Sequence, residues 1–115
     1  MLKKVILGLT EQVDLIGNQG QKINIKARID TGATSSSIDL GLAKELNLGP
    51  VVKSKVVKSA SGVKKRPIVK AKIILREIEM EEEFTIANRN HMTYQVLIGQ
   101  NILKKGNFLI DPLKK

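Results

Sequence analysis

Apolar and polar positions alternate along most of this chain, with the period of two that marks strands rather than helices. Between Gln21 and Ile29, one face carries Ile23, Ile25, Ala27 and Ile29 and the other Lys22, Asn24, Lys26 and Arg28, the pattern of a half-buried strand. Gly17-Asn18-Gln19-Gly20 makes a turn before it, and the apolar stretches Lys4–Leu9 and Val13–Ile16 precede that turn. Val51–Ala60 and Val63–Leu75 flank Ser61-Gly62 as the arms of a hairpin, with Val69, Ala71, Ile73 and Leu75 on one face of the second arm. Glu77–Ala87 alternates again, Ile78, Met80, Phe84 and Ile86 inward and Glu77, Glu79, Glu81 and Glu83 outward. Glu82 breaks that alternation and predicts a bulge or an edge position.

Two segments change period. Asp39 stands as a cap before Leu40–Leu48, whose apolar Leu42, Ala43 and Leu46 and Gly49-Pro50 stop predict one short helix. Asn101–Lys105, closed by Gly106, predicts a second. Around it, Tyr94–Ile98 reads as an apolar strand ending at Gly99, and Phe108–Ile110 as a last strand before Asp111-Pro112. Eight or so short strands with one or two small helices predict an all-β domain closed or partly closed into a barrel. At 115 residues the chain fits a single domain, residues 1–115, with no internal repeat or linker.

Composition narrows the chemistry. Aromatics are 3% of the chain (Phe84, Phe108 and Tyr94), too few for a single-stranded nucleic-acid module built on base stacking. There is no cysteine and one histidine, His91, which excludes disulfide frameworks, thiol nucleophiles and cysteine-based zinc sites. His91 lies in a polar loop and reads as a surface or turn residue. No apolar run approaches the ~20 residues that span a bilayer. The opening residues read better as a strand than as a signal peptide, so a cytoplasmic location is the expectation.

Charge is unevenly spread. Lys53, Lys55, Lys58, Lys64, Lys65, Arg66, Lys70 and Lys72 lie in a stretch without an acid, +8 of the formal +9. A solvated basic hairpin is the plain reading, and glutamates 79–83 could pair with its lysines across a sheet. A funnel for an anionic partner, an acidic peptide before nucleic acid, is the functional reading.

The segment Ala27-Arg28-Ile29-Asp30-Thr31-Gly32-Ala33-Thr34-Ser35 delivers a carboxylate from a buried strand into a tight turn followed by hydroxyls. Alone, it is equally a β-turn that uses Asp and Gly. Far downstream, Val96-Leu97-Ile98-Gly99 places bulky apolar residues before a glycine and a short helix. Together these two patterns resemble the retropepsin-like aspartic proteases, with Lys58–Val63 where that family carries its flap. The stretches Ile25–Asp39, Val57–Val69, Phe84–Leu103 and Phe108–Pro112 are similar to a small prokaryotic group once labelled ATP-dependent zinc proteases, often linked with RimK-type ATP-grasp ligases that add glutamates to a ribosomal protein. The resemblance runs from Val5 to Pro112 and includes the Arg66-Pro67 step and Asn88-Arg89-Asn90. The residues support neither half of the old label: one histidine and no cysteine make a poor zinc set, and no phosphate-cradling glycine loop is present, so no metal or cofactor is expected.

The resemblance implies a retropepsin-like closed barrel and a peptide hydrolase. It assigns Asp30 as the catalytic carboxylate, Thr31 as a cross-subunit hydrogen-bonding support and Gly32 as a close-approach residue. Ala33, Ser59, Ala60, Ser61 and Gly62 fall to the substrate cleft and flap, and Leu97, Ile98 and Gly99 to support of the turn. Of the four aspartates, Asp14, Asp30, Asp39 and Asp111, only Asp30 sits in such a turn, so a complete pair requires a homodimer. Asp39 reads most simply as a helix cap, Asp111 as the end of the last strand, and Ser35, Ser36 and Ser37 as hydroxyls lining the strand after the turn. Pepsin-like relatives have Ser where Ala33 stands; loss of that hydroxyl is expected to move activity nearer neutral pH. The expected substrate is a peptide, acidic or glutamate-rich, with a RimK-type ligase as associated partner, no membrane partner and nucleic acid disfavoured. The alternative is a non-catalytic binding module on the same fold.

Overall fold

The computed structural model describes residues 4–60 and 62–114, and of Ser59 the backbone. Among the described residues, nine strands and two helices follow in the order β1 (Ile6–Leu7), β2 (Thr10–Ile16), β3 (Lys22–Ile29), β4 (Ser36–Asp39), α1 (Leu40–Glu45), β5 (Lys53–Ser59), β6 (Gly62–Leu75), β7 (Ile78–Ala87), β8 (Val96–Ile98), α2 (Gln100–Lys105) and β9 (Leu109–Ile110). The large sheet runs β2-β3-β8-β4-β7-β6-β5, and a further pairing of β2 with β6 closes six of these strands into a barrel, leaving β5 outside the ring. β6 makes this possible because it is 14 residues long. Its second half pairs with both β7 and β2, for example Leu75 with Ile78 and with Val13, while its first half pairs with β5. β1 and β9 form a separate parallel pair, Ile6 beside Leu109.

The alternation in the sequence becomes the inside and outside of this barrel. Phe84, Leu15, Ile73, Leu75, Ile98, Ile38, Val13 and Val96 are fully buried together. Burying each contributes on the order of 1.5–3 kcal/mol through the hydrophobic effect. β3 behaves as its pattern predicts, with Ala27 and Ile29 buried and Lys22, Asn24, Lys26 and Arg28 exposed. Lys70 and Lys72 stand opposite Glu83 and Glu81, and Lys53 reaches Glu83 at 3.3 Å, so the acidic run does meet the lysines across the sheet.

Both helices stop in the same way. Asn47 after α1 and Asn107 after α2 take left-handed φ values of 51° and 55°. Leu48 N–H then reaches back to Ala43 O, and Phe108 N–H to Leu103 O, satisfying carbonyls that the helix leaves open. Gly106 caps α2 as expected, but it is the Phe108 ring packed against it that leaves no room for a β-carbon.

Two element bounds need correction, and of the two alternatives for Glu82 the edge position holds. There is no bulge: the β6–β7 register is continuous from Ile68–Thr85 to Leu75–Ile78, while β4 pairs with β7 only from Phe84 on, which leaves Glu82 at an edge. Glu82 lies on the inward row of β7 just before β4 joins it, where its carboxylate meets Lys105 at 3.2 Å instead of entering the core. The strand expected over Tyr94–Ile98 is only Val96–Ile98, and α2 begins one residue earlier than expected, at Gln100. Among the described residues no helix is long and apolar enough to cross a membrane.

Candidate functional site

Asp30 follows β3 directly, and the strand beside β3 holds it in place. β8 lies between β3 and β4, parallel to the first, with Ile29 beside Ile98, and antiparallel to the second, with Ser37 beside Leu97. The two strands on either side of the Asp30 turn are therefore joined through Val96–Ile98. Asp30 N–H donates to Ile98 O at 2.9 Å, Ala33 N–H to Asp30 O at 3.3 Å, and Gln100 N–H to Ala33 O at 2.8 Å. The Gln100 side-chain amide donates to Thr31 O at 2.8 Å, and Gly32 N–H donates to Asp30 Oδ1 at 3.0 Å. The backbone of the turn is thus clamped while Thr31 and Gly32 stay exposed and Asp30 half-buried.

Gly99 is the tight glycine of the site. A β-carbon there would collide with the Ser35 carbonyl oxygen, lying 2.6 Å from the Ser35 carbonyl carbon and 2.9 Å from Ala33 O. At Gly32 the corresponding atom would meet only Asp30 Oδ1, at 3.4 Å, so nothing inside one chain demands glycine at 32.

A buried polar relay fixes the other side of the turn. Gly99 N–H donates to Ser36 Oγ at 2.9 Å, and the Ser36 hydroxyl donates to Asn101 Oδ1 at 2.8 Å. Ser36 N–H donates to the same oxygen at 3.0 Å, while Asn101 Nδ2 donates to Glu83 O at 2.9 Å. Ser36 is completely buried, so these bonds satisfy groups that water cannot reach. The sequence gives no sign of Asn101 in this role, because its partner Ser36 lies 65 residues away and Asn is an ordinary helix-start residue.

The turn separates two clefts. One, of about 370 Å³, is lined by Gly32, Ala33 and Leu97 on the barrel side and by Lys55, Val57 and Arg66 from the β5–β6 hairpin, with Arg89 at its margin. Lys55 Nζ donates to Ser35 Oγ at 2.7 Å and to Thr34 Oγ1 at 3.2 Å, tying the hairpin to the turn. The other, of about 510 Å³, is lined by Thr31, Gln100, Leu103, Phe108 and Ile110 among others. Ala60 and Gly62 stand exposed near the hairpin tip and do not line the first cleft; Ser61 lies outside the described residues.

Asp39 caps α1, accepting from Gly41 N–H at 3.0 Å and Leu42 N–H at 3.4 Å, and its other oxygen accepts Arg89 N–H at 2.7 Å. The cap therefore also anchors the Asn88–Asn90 turn to the barrel. Burial, then repulsion from Arg66 and Arg28, pulls the Arg89 guanidinium below its ordinary value, against attraction from Asp39 and Asp30. His91 is exposed in a turn, as its polar surroundings predict, and Asp111 is exposed directly after β9, where the last strand ends.

Comparison with known proteins agrees with this construction. A Legionella pneumophila protein of unknown function, solved by crystallography, superposes with a TM-score of 0.71 at 23% identity, covering 98% of this chain and 97% of that one. EIAV protease in complex with an inhibitor gives 0.67 at 15% identity over 94% and 96% of the two chains. The simian foamy virus protease gives 0.61 at 16% identity over 83% and 91%. These likenesses show a shared retropepsin fold. A protein of Parasynechococcus marenigrum named as a probable alpha-L-glutamate ligase is 27% identical over 97% of this chain, which spans only 29% of that relative's length. The signature of the family described as RimB-like, retropepsin-like aspartic endopeptidase RimB, matches residues 42–115, and the chain belongs to that RimB-like family.

Proposed function

We propose that the chain is an aspartic endopeptidase that works as a homodimer, with Asp30 of each copy forming one half of the site. The observation that carries this reading is the Asp30 turn: its backbone is clamped to Ile98 and Gln100, its residues Gly32 and Ala33 line an open cleft, and the sequence has one such Asp-Thr-Gly turn. Two carboxylates facing each other across a twofold axis cannot both carry charge cheaply, so they hold one proton between them. The ionised one takes a proton from a water, whose oxygen attacks the peptide carbonyl carbon. The protonated one gives its proton to the carbonyl oxygen. Collapse of the tetrahedral intermediate breaks the C–N bond as the nitrogen takes up a proton, leaving one carboxylic acid and one amine. In this reading Thr31 supports the partner's turn, and Gly32 keeps room for the partner or the substrate. Leu97, Ile98 and Gly99 hold the turn from below, and the hairpin tip, Ser59, Ala60, Ser61 and Gly62, covers the substrate beside Ala33. The 510 Å³ cleft beside Thr31, with Leu9 and Leu109 exposed nearby, is a suitable seat for the second copy.

The substrate class in this reading is an acidic, glutamate-rich peptide, supported by the acid-free basic hairpin and by the relative named as a glutamate ligase. That relative also supports functional association with a glutamate-adding ligase of the RimK type. The same observation favours a second reading, a non-catalytic module that binds the ligase or its product. Incubation of the wild-type chain and Asp30→Asn with a glutamate-rich peptide separates the two. Cleavage by wild type alone, with dimerisation kept in both, supports the peptidase. Binding by both without cleavage by either supports the module.

A further inference from the structure

The cleft-facing side of the β5–β6 hairpin is set by its register. Lys55 stands opposite Arg66 and Val57 opposite Lys64, which puts Lys55, Val57 and Arg66 on one face, and these three line the cleft. Lys55 is already engaged by the hydroxyls of Thr34 and Ser35. Arg66 is not: among the described residues the ion pairs are Lys53–Glu83, Lys105–Glu82 and Lys114–Glu11, and neither Arg66 nor Arg89 has a carboxylate partner.

Arg89 lines the same cleft from the turn after β7 and is held there. Its backbone N–H is bound by Asp39, and its Nε donates to Tyr94 O at 3.1 Å. One of the guanidinium's five N–H groups is used in fixing the side chain, and the fork of terminal nitrogens remains. Two half-buried guanidinium groups line one cleft, repel each other and make no ion pair among the described residues, which leaves a place for an anion. The planar fork of arginine suits a carboxylate in particular.

We propose that Arg66 and Arg89 form a carboxylate-binding subsite that fixes an acidic residue of the bound peptide beside the Asp30 turn. The inference rests on the peptidase reading for the cleft as the peptide's seat, and not for cleavage itself. The carboxylate comes either from a glutamate side chain or from the peptide's C-terminus, and the experiment separates these sources.

The test measures binding of fluorescein-labelled hexaglutamate to the full Asp30→Asn chain by anisotropy, so that no turnover is needed. Hexaglutamine is expected to bind at least about tenfold more weakly, the loss of one or more charge-assisted hydrogen bonds. Amidating the C-terminus of hexaglutamate leaves binding unchanged if side chains are recognised, and reproduces the loss if the terminal carboxylate is. Arg66→Gln and Arg89→Lys are each expected to weaken hexaglutamate about tenfold. The second keeps the charge but loses the fork; the first lies on the hairpin and is expected to keep the native circular dichroism spectrum. Lys44→Gln, which removes an exposed charge from α1 away from the hairpin, is expected to have little effect. Equal binding of hexaglutamate and hexaglutamine, no binding of either, or equal losses from Lys44→Gln and Arg66→Gln would overturn the proposal. The predicted preference in a chain whose wild type never cleaves would uphold the subsite and overturn the peptidase reading.

Discussion

The α-carbon of Gly99 packs so closely on the Ser35 carbonyl that a β-carbon added to it would stand 2.6 Å from the carbonyl carbon. Gly99 ends the strand that passes under the Asp30 turn, and Ser35 leads out of that turn, so this contact sets how tightly the two segments can approach. Gly99→Ala is therefore expected to destabilise the fold by about 1–3 kcal/mol, since backbone on both sides must shift. Denaturant midpoints measure the loss, and an unchanged midpoint would mean that the turn is not clamped as described.

Asn101 offers a separate handle on the same turn. Asn101→Ala would leave the Ser36 N–H and hydroxyl without their acceptor in a region closed to water. The expected cost is about 1–3 kcal/mol. Asn101→Asp keeps the acceptor for Ser36 but loses the donor to Glu83 O and places a charge near Glu82. It is expected to remain destabilised, and more so at neutral pH than at pH 4. Thermal melts at the two pH values check both statements.

Much of this architecture is legible in the sequence because each strand carries its own alternation: Ile23 to Ile29 declares its inner face without reference to any partner. Asp39 is readable as a cap for a similar reason, since the N–H groups it accepts lie two and three residues ahead. What is not legible is pairing over long separations. The closure of β2 on β6, the parallel β1–β9 pair and the Ser36–Asn101 bond each join residues whose local patterns are silent about each other. Glu82 is legible only in part, because a broken alternation marks a bulge and an edge alike, and only the strand pairing shows the edge, within reach of Lys105. Gly32 and Gly99 look alike as letters, and only packing distinguishes the crowded one from the open one.

Glu11 gives the fold a defined acid sensitivity. It is buried, and burial would raise its pKa, but the Lys114 ammonium and the Gly8 N–H outweigh that effect, with help from Arg76. The net result holds the carboxyl below its ordinary value of 4.5. A depressed folded value means that Glu11 contributes stability above the ordinary glutamate range and loses it as pH falls through the lower folded value. Glu11→Gln is expected to lower stability at pH 7 by about 1–2 kcal/mol, with the difference from wild type shrinking below pH 4.5. Denaturation curves from pH 7 down to pH 3 measure this, and a difference that stays constant with pH would refute the assignment.

The central claim, that two copies of Asp30 make one hydrolytic site, is tested most directly by mixing subunits. Wild-type and Asp30→Asn chains are refolded together in equal amounts, and cleavage of a glutamate-rich peptide is measured per wild-type chain. Random pairing puts about half of the wild-type chains into mixed dimers, so activity per wild-type chain should fall to about half. Activity per wild-type chain that is unaffected by the mutant, at any mixing ratio, would contradict a shared site.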